Sequence, residues 1–347
     1  MTNKDIAKKL DCIAKQRMGA ETKQTEDKKT GKSSEWSRSF KSKEGEELTT
    51  LCNVFGIEKT EQLEKLFKSA TSGDGDERRK ILTLHSSSLL AFLCFSNIAY
   101  NHPITIDGTK YDQVMFEVKN DVIDAGLGKP SNVDILLIGE KGKKLLFLES
   151  KFTEYLSGGR AYLSEERYGE FYKSLLKKAK FNFNASKQPV RHKPDAEHGG
   201  YYTTQEYCLN NGDRTKGYLG GIKQAFSHLL GIVTGPAEKQ NEGNKGSYCQ
   251  TLLENASEIK FASIVFNCDN EKYEAYRQLY EGVFKDHESI IIDAIREVMK
   301  RHKIDHENIL EKLKIVPDLL SYQEILFKDN YLCDKVQTFY TNISDIK

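Results

Sequence analysis

The seven cysteines form no CxxC pair, no apolar run is longer than Leu89 to Phe95, and the 52 lysines and arginines exceed the 51 aspartates and glutamates by a single charge. Each absence excludes something. An odd number of scattered thiols offers neither a disulfide framework nor a zinc spacing, and fits reduced cysteines in a cytoplasm. The longest apolar run is far short of the roughly 18–20 residues that a membrane helix needs. The polar start MTNKDIAKKL has no leader-like apolar segment, so the expectation is a cytoplasmic protein with no membrane partner. Balanced charge rules out a basic coat for nucleic acid, and any such partner has to be held by a local patch. There is no GxxxxGK[ST] phosphate loop, hence no built-in NTPase, and no internal repeat.

What is present is a globular composition. Of 347 residues, 38% are hydrophobic, with 17 tyrosines and 17 phenylalanines, too many core formers for a disordered chain. The length suits one large domain or two lobes. Residues 21–48 are half charged, with Trp36, Phe40 and Leu48 as their only large apolar groups, and read as mobile or peripheral. Helical spacing runs over 60–70 and again over 76–99, through Ile81, Leu84, Leu89 and Leu93. Strands are expected at 111–118, 132–139 and 144–152, followed by a helix over 165–180. Next comes a polar, glycine-rich excursion over 181–216, and the stretch 196–218, with His198, several tyrosines and glycines, is suited to covering a substrate. A helix from about Gly220, a strand at 258–267 and helices at 271–284 and 287–302 complete the pattern. The order is α-β-β-β-α-β with additions. It divides the chain into an N-terminal charged and helical extension (1–75), a core (76–270) with an insertion at about 181–216, and a C-terminal helical region (271–347).

The stretch SNVDILLIGEKGKKLLFLESKF places Asp134, Glu149 and Lys151 in otherwise apolar strands. The pair Lys141-Gly142 between the two runs favours a tight antiparallel hairpin. With an even loop centred there, Asp134 lies opposite Glu149, their Cβ atoms about 4.5–5.5 Å apart, and Lys151 shares that face. Two facing carboxylates repel unless a positive group sits between them. Magnesium meets that need with one or two carboxylates while keeping waters and room for a phosphate, and a neighbouring ammonium orients or helps to deprotonate the attacking water. An odd loop would remove the opposition. The plainer alternative is a strand-edge Asp134 beside a solvated Glu149–Lys151 pair.

These residues and this order of elements resemble the PD-(D/E)xK nuclease superfamily, whose restriction-endonuclease-like α/β core is a mixed central sheet flanked by helices. Its signature is an Asp followed, across a hairpin, by Glu-x-Lys: here Asp134, then Glu149, Ser150 and Lys151, with Pro130 rather than an adjacent proline upstream. The resemblance spans roughly residues 76–270. It implies Mg²⁺-dependent hydrolysis of phosphodiester bonds, with Mn²⁺ as a substitute and a setting in restriction, defence or mobile elements. Asp134, Glu149 and the Ser150 carbonyl would hold the metal, and Lys151 would position the water. It also implies an upstream acid, for which Glu117 is the candidate, and a supporting glutamine, for which Gln224 is the candidate. His228, one turn further on, reads more simply as part of a polar helical stripe.

Residues 171–194 hold Lys173, Lys177, Lys178, Lys180, Lys187, Arg191 and Lys193 and no acid. Phe171, Tyr172, Phe181 and Phe183 are interleaved, which pairs phosphate neutralisation with base stacking. The alternative is a solvated helix face with a basic loop. His192, Asp195, Glu197 and His198 match no zinc spacing. The partner expected is nucleic acid, DNA before RNA, and cutting both strands of a duplex would suit a homodimer. Two rivals stand beside the nuclease: a catalytically inactive nucleic-acid binder of the same fold, and a non-enzymatic interaction protein with an acidic surface hairpin.

Overall fold

The computed structural model describes residues 1–26, 33–72, 80–120, 131–193, 199–212, 216–235, 245–328 and 331–343. Pro130, Asp195, Glu197 and His198 lie outside them. Helix α1 (Asn3–Gln16) starts at a capping box in which the Thr2 hydroxyl accepts from Asp5 N while the Asp5 carboxylate accepts from Thr2 N. It buries Ile6, Leu10 and Ile13. An antiparallel hairpin follows, of β1 (Thr22–Glu26) and β2 (Ser33–Phe40). This corrects the expectation of a mobile or peripheral 21–48 segment. Strand β2 ends on Phe40, fully buried, with the Phe55 and Phe339 rings at 5.7 and 5.9 Å. A hairpin needs only a few apolar anchors to dock, so its half-charged composition concealed it. Phe40→Ala should therefore cost about 3–5 kcal/mol, measurable as a lowered urea midpoint; a change below about 1 kcal/mol would return this hairpin to the periphery.

Helices α2 (Glu47–Phe55) and α3 (Glu61–Ala70) come next. Of the helix expected over 76–99, whose residues 76–79 lie outside the described ones, residues 81–86 are not helical and α4 runs over Ser87–Phe95. The Ser86 hydroxyl accepts from Ser88 N at 3.1 Å, and a bridge from Thr83 to Ser39 holds the preceding residues in a turn. Ile81, Leu82 and Leu84 are buried there without being helical.

The sheet strands then run β3 (Ile104–Ile106), β4 (Thr109–Asn120), β5 (Ser131–Gly139) and β6 (Lys144–Lys151). After them come β7 (Ala161–Ser164), α5 (Glu165–Lys178), β8 (Asn184–His192), β9 (Tyr202–Asn210), α6 (Leu219–Thr234), α7 (Lys245–Asn255) and β10 (Glu258–Val265). The chain closes with α8 (Asn270–His302), β11 (Leu313–Ile315), β12 (Leu320–Ser321) and α9 (Asp334–Thr341). The main sheet has the order β11-β10-β6-β5-β4-β3, with β12 also pairing β10. Strands β3 to β6 are antiparallel to their neighbours, whereas β10 runs parallel to β6 after a long crossover that includes α6. This is a mixed α/β architecture of the restriction-endonuclease-like kind.

Strands β5 and β6 are buried along nearly their whole length because both faces are covered. Their turn spans residues 140–143, and Glu140, Lys141 and Gly142 all have positive φ, at 49°, 56° and 87°. Glycine removes the steric cost at the last of these. The loop is even, four residues between Gly139 and Lys144, and the register is the one inferred from Lys141-Gly142.

Two other expectations are corrected. The excursion over 181–216 contains β8 and β9, which form a three-stranded antiparallel sheet with β7 in the order β7-β9-β8. The helices expected at 271–284 and 287–302 are one 33-residue helix, α8; the polar residues Lys285 and Asp286, read as a break, are its exposed side. A single hydrophobic cluster runs from Ile6 to Ile343, so the C-terminal segment packs into the same core as the sheet. Among the described residues no helix is long and apolar enough to cross a membrane.

Candidate active site at the open end of the β5–β6 hairpin

The β5–β6 ladder ends at the pair Ile135↔Leu148. One residue further the backbone pairing gives way to a side chain: Asp134 Oδ2 accepts from Ser150 N at 2.7 Å. On its other side β6 continues in parallel register with β10, pairing Ser263↔Glu149 and Val265↔Lys151. That pairing closes Glu149 and Lys151 from solvent, at 1% and 3% exposed. The Lys151 ammonium donates to the Glu149 carboxylate and, at 3.1 Å, to the Ser150 carbonyl oxygen. Alternation along the strand sends the Ser150 side chain to the opposite face. There its hydroxyl meets the Tyr322 hydroxyl at 2.7 Å, beside Phe95 of α4.

Two further groups converge on the acids. Between the pairs Phe116↔Ile135 and Val118↔Val133, Glu117 falls opposite Asp134. Its φ of 50° is the left-handed conformation in the middle of a strand, a strain typical of functional positions. From α6, His228 presents Nε2 to Glu149 Oε2 at 2.6 Å and Nδ1 to the Ser131 hydroxyl at 2.6 Å. Despite that proximity, Glu149 Oε2 and His228 Nε2 are not aligned as a hydrogen bond, and both remain buried without one. A cleft of about 670 Å³ opens over this cluster, lined among others by Glu117, Asp134, Lys151, Tyr218, Gln224 and His228.

The two facing carboxylates titrate in opposite directions. Burial, followed by the charge of Glu149, pushes the Asp134 carboxyl well above the usual carboxylate range. Burial works to raise Glu149 as well, but Lys151 and His228 outweigh it and hold that group at about 2. Burial also works against the Lys151 ammonium, and is overcome by Glu149 and Asp134, which raise it well above its ordinary value. The two carboxyls are thus pushed apart, Asp134 upward and Glu149 downward, beside a lysine raised by both, an asymmetry common at catalytic centres.

Among the described residues no three His, Cys, Asp or Glu side chains gather closely enough to hold a metal ion on their own. The donors offered to an ion are two carboxylates, the Ser150 carbonyl and space for water. The orphaned, buried Glu149 Oε2 is the atom that a hard cation would satisfy. Such an all-oxygen, water-completed set fits Mg²⁺ or Mn²⁺.

The hairpin places Asp134, Glu149, Ser150 and Lys151 together, with Glu117 on the neighbouring strand and Gln224 in the cleft wall. His228, read as part of a helical stripe, instead touches Glu149; its spacing from Gln224 could have flagged it. Ser131 and Tyr322 carried no signal at all. The basic residues are elsewhere: Lys173, Lys177, Lys178, Lys180, Lys187, Arg191 and Lys193 are exposed, and none lines the cleft. Lys178 pairs with Glu297 at 2.7 Å. The expected stacking rings are a correction. Phe171 and Tyr172 are fully buried, Phe183 is buried, and Phe181 packs on Phe183 at 4.9 Å against the core. The aromatic partners at the surface are others, with Arg191 lying 4.5 Å from the Tyr201 ring.

A family model described as restriction endonuclease associating with ARP matches residues 8–202. No curated protein and no solved structure gives a match.

Proposed function

From the premise that this chain belongs to the family of restriction endonucleases associating with ARP, we propose that it is a divalent-metal-dependent nuclease acting on phosphodiester bonds, with DNA the favoured substrate. The observation that supports this most is the convergence of Asp134, Glu149 and Lys151 at the one place where the β5–β6 ladder opens beneath a polar cleft. Asp134, Glu149 and the Ser150 carbonyl would hold Mg²⁺ or Mn²⁺. When bound, the ion neutralises charge on the phosphate oxygens and makes a water more acidic.

The chain's own groups carry the remaining roles. Asp134 accepts from the Ser150 amide and keeps it in place, so the β6 backbone carbonyl stays aimed at the site. Lys151 stays an ammonium, because Glu149 and Asp134 raise it well above its ordinary value. It therefore acts as a fixed donor that orients the attacking water and offsets charge developing on the phosphate, rather than as a base. Glu117, held opposite Asp134 in a strained backbone conformation, adds an acceptor on the water side of the cleft. The exposed cations on α5 and β8 attract the backbone of a nucleic acid at longer range.

The test is cleavage of labelled DNA and RNA, single- and double-stranded, with Mg²⁺ or Mn²⁺ against EDTA. Cutting is expected only with metal, and Glu149→Gln and Asp134→Asn should each lose about 10²–10³-fold or more, the scale of removing one preorganised electrostatic group. Metal-independent cutting, or full activity in both variants, would sink the proposal. Binding without cutting under every condition would favour an inactive member of the fold.

A further inference from the structure

We infer that His228 is a positioning residue for Glu149, held in turn by Ser131. The inference rests on the nuclease reading of the same site and adds to it a residue beyond the matched stretch of 8–202. Three observations carry it. The imidazole is 4% exposed and lies between a hydroxyl and a carboxylate, 2.6 Å from each. At that separation two lone pairs would repel, which favours the proton on Nε2, beside Glu149, and leaves Nδ1 to accept from the Ser131 hydroxyl. Glu149 Oε1 is taken by Lys151, so His228 governs the remaining oxygen, the one with no hydrogen bond. Together the two cationic or polar groups leave the Glu149 carboxylate one orientation.

The placement is built into the packing of α6. Residues 225–234 of that helix are buried throughout, and near its start Gly221 has no room for a Cβ, which would lie 2.0 Å from the Tyr276 hydroxyl. The start of α6 thus lies close against Tyr276 of α8, and the buried length that follows carries the His228 ring to β6. This is the logic by which hydrogen-bonded partners behind a metal ligand set its direction, and their loss typically costs 10–100-fold in metal affinity or activity. A structural histidine that merely fills the core would have no such consequence.

The experiment measures Mn²⁺ binding to the intact protein without nucleic acid, from the loss of the free-ion electron paramagnetic resonance signal. His228→Ala should weaken binding by about 10–100-fold. His228→Gln, which keeps an N–H near the position of Nε2, should stay within a few-fold of the unaltered protein, with Ser131→Ala between them. If His228→Ala binds as the unaltered protein does, or His228→Gln is as weak as His228→Ala, the inference is wrong. If the expected order appears but no nucleic acid is cut, His228 keeps its role and the nuclease reading fails. Should the unaltered protein take up no Mn²⁺, the nuclease reading fails first, and the ¹⁵N shifts of the His228 ring decide alone: a protonated Nε2 with an acceptor Nδ1 upholds the positioning, and the opposite tautomer overturns it.

Discussion

Lys151→Met alone should lower the free energy of unfolding by about 3–5 kcal/mol, and adding Glu149→Leu should recover most of that loss. Both groups are almost completely closed from water, at 3% and 1% exposed. Their mutual attraction is offset by the desolvation of each charge. Removing the ammonium leaves Glu149 buried between His228 and the facing Asp134, an uncompensated charge in a low dielectric. Removing both charges and keeping the volume abolishes the penalty along with the interaction. Urea denaturation of the two variants is the measurement, and on the proposed function neither should cut nucleic acid. A single-variant loss below about 1 kcal/mol would show that water reaches the pair freely. Recovery in the double variant would show that this pair is retained for chemistry and not for stability.

Gly221→Ala should destabilise the fold by about 1–3 kcal/mol or more, in spite of alanine's better helix propensity. A Cβ at this position would lie 2.0 Å from the Tyr276 hydroxyl oxygen and 2.6 Å from its Cζ. Tyr276 cannot yield: it is fully buried on α8, stacked on Tyr155 and edge-on to Tyr218 and Tyr280. The start of α6 must therefore move away from α8, and the ring of His228, two turns along, moves with it. Thermal unfolding together with Mn²⁺ binding reads both effects, and an alanine variant as stable as the unaltered protein would mean that α6 has slack. Tyr276→Phe is the control. Its hydroxyl has no hydrogen-bond partner among the described residues, so this change should be close to neutral.

The hairpin register was legible because it depends on local information: two apolar runs and a glycine-containing even turn determine which residues oppose each other. Asp134, Glu149 and Lys151 could be placed from that alone. Features that depend on distant packing were not legible. Phe40 sits in a half-charged segment, and only the arrival of Phe55 and Phe339 makes it core. The strands β8 and β9 were concealed by exposed polar residues on both faces of β8, where no apolar alternation marks the pleat. Helix α8 was split because its exposed side at Lys285 and Asp286 resembles a break when the buried neighbours of Val283 and Phe284 are unknown. His228 shows the same limit. On α6 it looks like one polar residue in a buried helix, and only the fold brings Glu149 to it.

The position of β6 between β5 and β10 has a consequence for how the molecule is made. Its antiparallel partner precedes it by a short turn, whereas its parallel partner pairs across 114 residues of chain, Lys144 with Glu258. At a synthesis rate of about 5–20 residues per second, β6 remains an open sheet edge for roughly 6–23 seconds on the ribosome. An exposed edge of that kind, with LLFL in its centre, invites pairing with another nascent chain. Glu149 and Lys151 stand at the end of that edge as opposite charges, the device by which edge strands resist such pairing. The charges proposed for chemistry in the finished protein would thus also stand at its least protected strand while the chain is still being made.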